Sequence, residues 1–494
     1  MSLGLAHSVA LEGLVPRPVR IEAYVGQGLP GFTVLGLSGA AGGQACERVK
    51  AALAATGHHV SQRKVLVNLA PADVDKRGAR FDLGIAVALL RALGEVPAGE
   101  DLLLGEVALT GTVRAVRGVL PSVRGQQRVT VARSNGHEAL LAQIPHLLAV
   151  HSLKEYCAAT RDGRQPAPLE PLVAEDPEPG PDLADVAGQP EARRALEVAA
   201  TGGHHLLLLG PPGAGKSMLA RRLPGLLPPL TDEQALTVAS VNSVVGRPHH
   251  SAGLDRRPPF AAPHHSATSP ALLGGGSGLA RPGAVSEATH GVLFLDELFE
   301  WSGRILDGLR EPMEEGAVRL ARAAGTVRYP ADFLLVAASN PCPCGPSRQG
   351  CRCRPDLVQR YRARLTGPLA DRFDLAPLIE PVPASALRAD VANESTQIVA
   401  ERVARARLAS TARGPWVNAR APLEVIRPTA TPEAIEILIR AVRRGRLSAR
   451  GFDRALRVAR TCADLSGTSL ILPEDAHEAV GHRARLDRVW EAAA

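Results

Sequence analysis

The chain has 494 residues, of which 45% are hydrophobic, enough for the cores of roughly two or three domains. No apolar run approaches the roughly 18–20 residues of a membrane span, and the first residues lack the basic start of a signal peptide. We therefore expect a cytoplasmic protein with no membrane partner. The net charge of +7 and the pI near 9.3 come mainly from arginine and mildly favour an anionic partner.

Residues 1–165 alternate strand-like and helical patterns, which predicts an α+β domain. The predicted strands are at 19–25, 32–37, 64–69 and 113–119, and the predicted helices are at 42–56 and 83–93. A proline-rich and acidic segment at 166–184 predicts an extended linker.

In residues 185–384, short apolar strands alternate with helices, which is the pattern of a parallel sheet. Residues 385–494 show only helical periodicity. The sequence therefore predicts a multidomain α/β protein with three domains joined in the order α+β, α/β and all-helical.

The stretch HLLLLGPPGAGKSMLARRL places an apolar strand before a glycine-rich turn and a helical pattern after it. This context indicates a phosphate-binding loop, whose backbone N–H groups surround the phosphates of ATP. Lys216, the last lysine of the chain, is predicted to reach the β- and γ-phosphates, and Ser217 is predicted to bind Mg²⁺. The predicted nucleotide-binding loop comprises Gly210, Pro211, Pro212, Gly213, Ala214, Gly215, Lys216, Ser217 and Met218.

Two later apolar strands end in polar side chains. GVLFLDEL ends in Asp296 and Glu297, and DFLLVAASN ends in Asn340. Asp296 is predicted to bind the same Mg²⁺, and Glu297 is predicted to be the base that polarises the attacking water. Asn340 is predicted to orient that water beside the γ-phosphate.

The motifs GPPGAGKS, GVLFLDEL, VAASNPCPCG and GPLADRFDL together resemble the magnesium-chelatase-like AAA+ ATPases, and most of all their ComM/YifB branch. The resemblance extends to an N-terminal Lon-protease-like domain (ribosomal S5 domain 2-like fold) and to a C-terminal helical lid. It covers nearly the whole chain except the linker. One departure is DELFEW, which lacks the proline that the branch usually has after Leu298.

The resemblance assigns roles to further residues. Val186 and Gln189 match a segment that packs on adenine, and Arg372 matches an arginine finger that reaches the nucleotide of a neighbouring subunit. It therefore implies a homo-oligomeric ring, typically a hexamer. Arg450 matches the sensor arginine of the lid, with Arg454 as the alternative.

A Lon-like domain raises the question of peptidase activity, which needs a serine nucleophile and a lysine base. The segment that matches the nucleophile turn, residues 76–84, contains no serine, and Ser61 and Ser122 are far from it in sequence. We therefore expect a scaffold or regulatory domain.

The stretch GAVRLARAAGTVRYPADF predicts a hairpin with basic arms. In the family's clade such a hairpin points into the central pore, where Arg319, Arg322 and Arg328 would contact a DNA backbone. The alternative is an ordinary solvated hairpin. Earlier, His264 and His265 are adjacent residues that would point apart on most backbones, so we do not expect a metal site there.

Four of the seven cysteines lie in NPCPCGPSRQGCRCRP, as two C-x-C pairs: Cys342, Cys344, Cys351 and Cys353. Four thiolates can form a closed tetrahedral zinc site. Reduced free thiols, a redox switch and an iron–sulfur cluster remain open alternatives. A structural metal here would brace the connection between Asn340 and Arg372.

The resemblance implies a Mg²⁺-dependent ATPase that acts on DNA, because the ComM branch is associated with branch migration, a helicase activity, during natural transformation. One rival is a magnesium-chelatase motor, which does not usually carry the Lon-like domain at its N-terminus. A second rival is a protein remodeller. That function would favour aromatic pore residues, and the hairpin offers only Tyr329.

Overall fold

The computed structural model describes residues 2–37, 41–172, 180–247, 253–276, 280–322, 325–345, 351–365, 367–382 and 393–491. Side chains are not described for residue 322 or for residues 484–491. Most of the predicted linker is described: residues 164–172 and 180–182 have no regular structure, and residues 173–179 lie outside the described part of the chain.

The N-terminal domain is built on a seven-stranded mixed sheet with the strand order β3-β4-β2-β1-β5-β8-β9. Strands β1, β2 and β4 are antiparallel neighbours, and the pairs at either end are parallel. The elements in chain order are β1 Ser2–Glu12, β2 Val15–Gly26, β3 Gly31–Leu35, α1 Ala41–Ala55, β4 Lys64–Ala70, α2 Asp82–Leu93, β5 Leu102–Leu104, β6 Glu106–Val107, β7 Val113–Arg114, α3 Val119–Val123, β8 Arg128–Ala132, α4 Gly136–Leu140, β9 His146–Val150 and α5 Leu153–Asp162.

Alternating burial along the strands explains how this sheet is covered. In β2, for example, Val19, Ile21, Ala23 and Val25 are buried and pack with α1 and α2, while the residues between them are more exposed. Helices α3 and α4 pack on the opposite face. A strand with one buried face alternates buried and more exposed residues along the sequence. The strands predicted from this pattern at 19–25, 32–37 and 64–69 are confirmed.

The prediction of a strand at 113–119 is wrong for most of its length. Only Val113 and Arg114 form a strand, and Val119 begins helix α3. Gly118, with φ of +72°, turns the chain into the left-handed region between the two elements.

The second domain contains a four-stranded parallel sheet with the strand order β10-β17-β14-β11. The residues near 375 and 378 continue this sheet beyond β10 through two parallel bridges. The elements in chain order are α6 Pro190–Gly202, β10 Leu206–Leu209, α7 Lys216–Ala220, α8 Leu223–Leu226, α9 Asp232–Val245, β11 Phe260–Ala261, α10 Ser269–Leu273, β12 Gly274–Gly275, β13 Arg281–Pro282, α11 Ala284–Glu287, β14 Val292–Leu295, α12 Gly303–Asp307, α13 Arg310–Glu315, β15 Ala317–Arg322, β16 Gly325–Pro330, β17 Leu334–Ser339, α14 Pro355–Arg362 and α15 Gly367–Ala370.

The C-terminal part of the described chain is helical, as predicted. Its helices are α16 Thr396–Thr411, α17 Leu423–Ile426, α18 Pro432–Arg443, α19 Ala449–Leu465 and α20 Pro473–Glu491. Apolar residues of α19 share one buried cluster with Leu206, Leu208 and Val336 of the parallel sheet. The helical domain therefore covers one face of that sheet.

Among the described residues, the contacts between the N-terminal domain and the second domain include one at α9 and one at the β15–β16 hairpin. Gly118 donates a backbone hydrogen bond of 3.0 Å to the carbonyl of Ser243 in α9. Gly13, in the turn between β1 and β2, lies so close to the β15–β16 hairpin that an added Cβ atom would approach the Arg328 carbonyl oxygen to 2.9 Å. The base of the hairpin is thus packed against the N-terminal domain.

Candidate active site

The phosphate-binding loop predicted from the sequence follows β10 and leads directly into α7. Gly213 and Gly215 adopt φ values of +75° and +87°, which residues with side chains rarely adopt. Gly210 must also be glycine, because a Cβ atom there would lie 2.4 Å from the carbonyl oxygen of Ile379. The loop therefore curls tightly at the carboxyl end of a buried strand.

Lys216 is the centre of a hydrogen-bond network in this loop. Its Nζ atom donates to the carbonyl oxygens of Gly210 and Pro211 at 2.8 Å each, and to Oδ1 of Asn340 at 3.0 Å. Burial lowers the pKa of the Lys216 ammonium. A nearby polyphosphate would oppose this shift, because an opposite charge favours the charged form.

Ser217 and Asp296 also meet. The Ser217 hydroxyl donates a hydrogen bond of 2.7 Å to Oδ2 of Asp296, which follows β14. The polar residues after β10, β14 and β17 thus converge at one edge, because the carboxyl ends of parallel strands lie together. Hydroxyl and carboxylate oxygens are the ligands that Mg²⁺ prefers, so this donor pair fits a magnesium ion.

Glu297 stands at the same edge with its side chain about half exposed. It adopts φ of +50°, an uncommon value for a residue with a side chain, and its backbone N–H donates to Oδ1 of Asp296 at 2.9 Å. The turn therefore separates the two adjacent carboxylates: Asp296 faces Ser217, and Glu297 is accessible.

His265 is a neighbour of Glu297 that the sequence reasoning missed. Its Nδ1 atom lies 2.7 Å from Oε2 of Glu297. The expectation that His264 and His265 point apart is wrong, because their ring centroids are 4.1 Å apart. The position of His265 in the sequence could have indicated this contact, because His265 closely follows β11, the strand that pairs with β14.

Of the two residues predicted to contact adenine, Gln189 lies beside the phosphate-binding loop. Gln189 Nε2 is 3.4 Å from the carbonyl oxygen of Ala214 and also donates to the carbonyl of Glu380. Val186 is fully buried. Met218, after the loop, is exposed. The adenine contacts themselves stay predictions.

Arg372 is paired within its own chain. Its guanidinium donates to a carboxylate oxygen of Glu314 and to the carbonyl of Pro368, and its side chain is largely buried. Arg454 donates to the Arg372 carbonyl at 3.2 Å and to Asp374 at 2.7 Å, so it binds the segment that carries Arg372. Arg450 is exposed in the first turn of α19.

The four cysteines of the two C-x-C pairs come together, with their sulfur atoms all within 4.8 Å of one another. The sulfur–sulfur distances are 3.2 Å for Cys342–Cys344, 3.6 Å for Cys344–Cys351 and 3.5 Å for Cys342–Cys351. None of these cysteines forms a disulfide. Burial raises the pKa of Cys342 to about 12, and a hydrogen bond from Cys342 lowers the pKa of Cys344 to about 6.

The predicted basic hairpin exists as β15 and β16, although residues 323–324 at its tip lie outside the described residues. Arg319 and Arg328 are direct cross-strand partners, and both are exposed. Arg322 pairs with Gly325 through the backbone. Tyr329 is fully buried, and its hydroxyl donates to the Ala280 carbonyl at 2.7 Å, so it cannot serve as an aromatic pore residue.

The expectation that Ser122 lies far from residues 76–84 holds in sequence but not in space. The Ser122 hydroxyl accepts a hydrogen bond of 2.6 Å from Arg80 and donates one of 2.6 Å to the Gly118 carbonyl. Lys76, the lysine of this segment, is instead buried against the carbonyls of Pro71 and Val74. These contacts of Ser122 include no lysine or histidine that could act as its base.

Three family models match the chain in succession. "Subunit ChlI of Mg-chelatase" matches residues 21–135, "Magnesium chelatase, subunit ChlI" matches residues 182–387, and "Magnesium chelatase, subunit ChlI C-terminal" matches residues 393–483. Together with a phosphate-binding loop on a parallel sheet, these matches define a magnesium-chelatase-like AAA+ protein.

Similar proteins extend over nearly the full length. An uncharacterized protein of Mycobacterium tuberculosis is 45% identical over 94% of this chain and 96% of its own length. The uncharacterized protein YifB of Escherichia coli is 40% identical over 99% and 98%, respectively. The competence protein ComM of Haemophilus influenzae is 38% identical over 98% of both chains. The chain therefore belongs to the ComM/YifB family of magnesium-chelatase-like proteins.

Helices able to cross a membrane were also sought. Among the described residues, none of the helices combines the length and the apolar character that a bilayer span requires.

Proposed function

We propose that this chain is an ATP-hydrolysing subunit of a cytoplasmic ring-shaped AAA+ motor that moves DNA, as in branch migration during recombination or natural transformation. The observation that carries the ATPase part is the convergence of Lys216, Asn340, Ser217 and Asp296 at one edge of the sheet. These residues come from three different strand ends, and together they provide a phosphate-binding cation and the oxygen ligands of a divalent ion.

In this proposal, the loop N–H groups and Lys216 hold the phosphates of ATP, and Ser217 and Asp296 hold Mg²⁺, which neutralises charge on the phosphates. Glu297 accepts a proton from the attacking water, and Asn340 orients that water. His265 holds the carboxylate of Glu297 through its 2.7 Å contact. Val186 and Gln189 border the adenine.

The ring is part of the proposal because Arg372 would complete the site of a neighbouring subunit. In the isolated chain Arg372 is paired with Glu314, so this pair must open, or must be replaced by a phosphate, when the ring forms. Arg450 is proposed to sense the nucleotide from the lid, because it is exposed whereas Arg454 is already bound to Asp374. We expect a hexamer, as in related AAA+ proteins.

The β15–β16 hairpin supports DNA as the substrate. Like charges placed directly opposite each other on paired strands destabilise a hairpin, and Arg319 and Arg328 are such a pair. Arg319 is partly neutralised by Glu315 at 2.6 Å. A phosphate backbone would neutralise both arginines together with Arg322. The name of one relative, the competence protein ComM of Haemophilus influenzae, supports a role in natural transformation.

The test is to measure ATPase activity with and without single-stranded DNA, duplex DNA and a four-way junction, in the wild type and in a triple variant in which Arg319, Arg322 and Arg328 are changed to Ala. A matched control replaces three exposed arginines of the N-terminal domain, Arg63, Arg114 and Arg128, with Ala. Both variants lose the same formal charge, so any difference reflects position.

The hairpin variant is expected to keep its basal ATPase activity and to lose DNA stimulation and branch migration. Its slope of log affinity against log salt should fall by about 2–3, since each lost phosphate contact contributes roughly 0.7 for single strands or 0.9 for duplex. If the hairpin variant kept the DNA stimulation and salt slope of the control, the hairpin would not be the DNA-binding element.

A second candidate is a magnesium-chelatase-type motor, because all three matching family models carry that description. ATPase activity that is indifferent to every DNA probe would favour it. The third function considered, a protein remodeller, loses its sequence argument because Tyr329 is buried. For the cysteine cluster, we propose a structural zinc ion in addition to the Mg²⁺ that accompanies ATP.

A further inference from the structure

We infer that the zinc ion held by Cys342, Cys344, Cys351 and Cys353 is a brace on the ATP site, which keeps the phosphate-binding loop and Asn340 in catalytic alignment. The inference rests on the proposed ATPase function and adds a role for the metal. The observation behind it is that Gly345, which directly follows Cys344, packs against Pro212 of the phosphate-binding loop, while Cys342 lies two residues after Asn340.

The sulfur geometry fits a single tetrahedral ion. Zinc–sulfur bonds of about 2.3 Å would place the four sulfurs about 3.8 Å apart. The distances among the sulfurs of Cys342, Cys344 and Cys351, 3.2–3.6 Å, are slightly shorter. A disulfide would need about 2.05 Å. A cluster of several irons would place irons and inorganic sulfide between the thiolates and so needs more space than the 4.8 Å observed. Four soft thiolate ligands select zinc over Mg²⁺.

The contact with the phosphate-binding loop is made by Gly345. This residue adopts φ of +90°, and an added Cβ atom would lie 2.6 Å from Cγ of Pro212, so the backbone that follows Cys344 rests directly on the loop. Cys342, at the start of the cluster, is buried and lies two residues after Asn340. A metal bound between these points therefore fixes Asn340 relative to Pro212.

The chain after the cluster returns to the segment that follows β17. Arg362, at the end of α14, donates two hydrogen bonds of 3.1 and 3.0 Å to the carbonyl of Pro341. Pro341 and Arg362 therefore lie close together, and the four cysteines are in the stretch of chain between them. A metal bound to these cysteines would close that stretch. The described contacts among the cysteines themselves are weak thiol hydrogen bonds, and Cys344 is exposed to solvent. Metal loss should therefore loosen Pro212 and Asn340 without unfolding the parallel sheet.

The first experiment measures metal by elemental analysis in protein purified without chelator, and the absorption of the cobalt-substituted protein, which reports tetrahedral thiolate ligands. We expect about one zinc per chain in the wild type, and loss of the metal when Cys342 and Cys351 are both changed to Ser. The matched control changes Cys46 and Cys157, two buried cysteines of the N-terminal domain, to Ser and should keep its zinc.

The second experiment separates the brace from metal binding. Gly345→Ala should keep zinc, because no ligand is changed, but should push the cluster away from Pro212 and lower kcat on the order of 100-fold, the cost of a small misplacement of catalytic groups. The matched control is Gly57→Ala, since Gly57 adopts φ of +91° but has no atom within 4 Å of an added Cβ. It carries similar backbone strain and should keep its kcat.

Amide hydrogen exchange of residues 210–217, with and without zinc, is a readout that does not depend on activity. We expect faster exchange in the zinc-free protein and in Gly345→Ala. Absence of metal, or iron in its place, would overturn the zinc assignment. Unchanged loop exchange in the zinc-free variant would overturn the brace. A wild type that holds zinc and shows the exchange effect but hydrolyses no ATP would overturn only the proposed ATPase function.

Discussion

Lys76 in the N-terminal domain and Lys216 in the ATPase domain are both buried, and both donate hydrogen bonds to two backbone carbonyls. Their surroundings differ. The described hydrogen bonds of Lys76 go to carbonyls of its own loop, whereas Lys216 also donates to Asn340 at the edge of a parallel sheet, beside Ser217 and Asp296. The first lysine is enclosed by its loop, and the second lies in a loop that can surround a ligand.

Acidic and arginine side chains show the same contrast. Asp82 is buried and accepts hydrogen bonds of 2.7 and 3.0 Å from Arg48, while Glu297 is about half exposed. Arg80 is enclosed next to Ser122, and burial lowers its pKa to about 10. Arg372 instead pairs with an exposed glutamate at the surface. Residue type alone therefore does not separate the groups of the N-terminal domain from those of the proposed site. The partners that the fold brings to each side chain do.

The largest expected difference is between the two lysines. Lys216→Ala should abolish nucleotide binding and ATPase activity, because the phosphates lose their cation. Lys76→Met should leave kcat unchanged and lower the free energy of unfolding by roughly 1–3 kcal/mol, since two buried carbonyls lose their donor. ATPase assays, nucleotide binding and chemical denaturation measure both. Normal turnover in Lys216→Ala would remove the basis of the comparison.

The arginines extend the test to the proposed ring. Arg372→Ala should lower ATPase activity by about 10³–10⁵-fold, the range known for arginine fingers. Mixing it with Lys216→Ala subunits should restore part of the activity, because each variant supplies the group that the other lacks. The control Arg80→Met changes an enclosed arginine of the N-terminal domain and should keep full ATPase activity in the same assay. Stable mixed rings without any rescue would contradict a site shared between subunits.

The acidic residues should separate activity from stability. Glu297→Gln should bind ATP normally and lose about 10²–10⁴-fold in kcat, the usual contribution of a general base. Asp82→Asn should keep its kcat and lose roughly 1–3 kcal/mol of stability with the hydrogen bonds from Arg48. Steady-state kinetics measure kcat for both variants, and chemical denaturation measures their free energies of unfolding. Wild-type turnover by Glu297→Gln would show that another group is the base.

The smallest expected effect is on the pH dependence of stability, and it concerns His205 of the second domain. Burial lowers the pKa of His205 to about 4, and its Nδ1 atom accepts a hydrogen bond of 3.0 Å from the Leu335 N–H. The unfolded chain binds this proton near pH 6.5, so the contribution of His205 to stability is complete above that pH and is lost as the pH falls to about 4. The loss should be roughly 3 kcal/mol, since each unit of difference between the two pKa values corresponds to about 1.4 kcal/mol.

His205→Asn keeps an acceptor for the Leu335 N–H and should remove this part of the pH dependence. The control His151→Asn changes an exposed histidine and should leave it intact. Denaturation curves between pH 7 and pH 4 measure the difference between the variants. Parallel pH profiles for wild type and His205→Asn would mean that the pKa of His205 is the same in the folded and unfolded chains, and would contradict the lowered pKa.

The sequence by itself determined the class of the ATPase domain and the positions of Lys216, Asp296 and Asn340. The structure brings these three residues together because each motif directly follows a short, fully buried strand, and parallel strands have their carboxyl ends at one edge of the sheet. The predicted helices at 42–56 and 83–93 and three of the four predicted strands were confirmed for a similar reason, since local burial patterns encode them.

Only the tertiary structure decided which distant side chains meet. The contact of His265 with Glu297, the packing of Gly345 on Pro212 and the burial of Tyr329 depend on how loops fold over the sheet. Likewise, Ser122 and Arg80 are 42 residues apart in sequence but share a hydrogen bond. Periodicity and motif spacing describe neighbours within one helix, strand or turn. These contacts instead depend on how separate elements pack together, and a short stretch of sequence does not encode that packing.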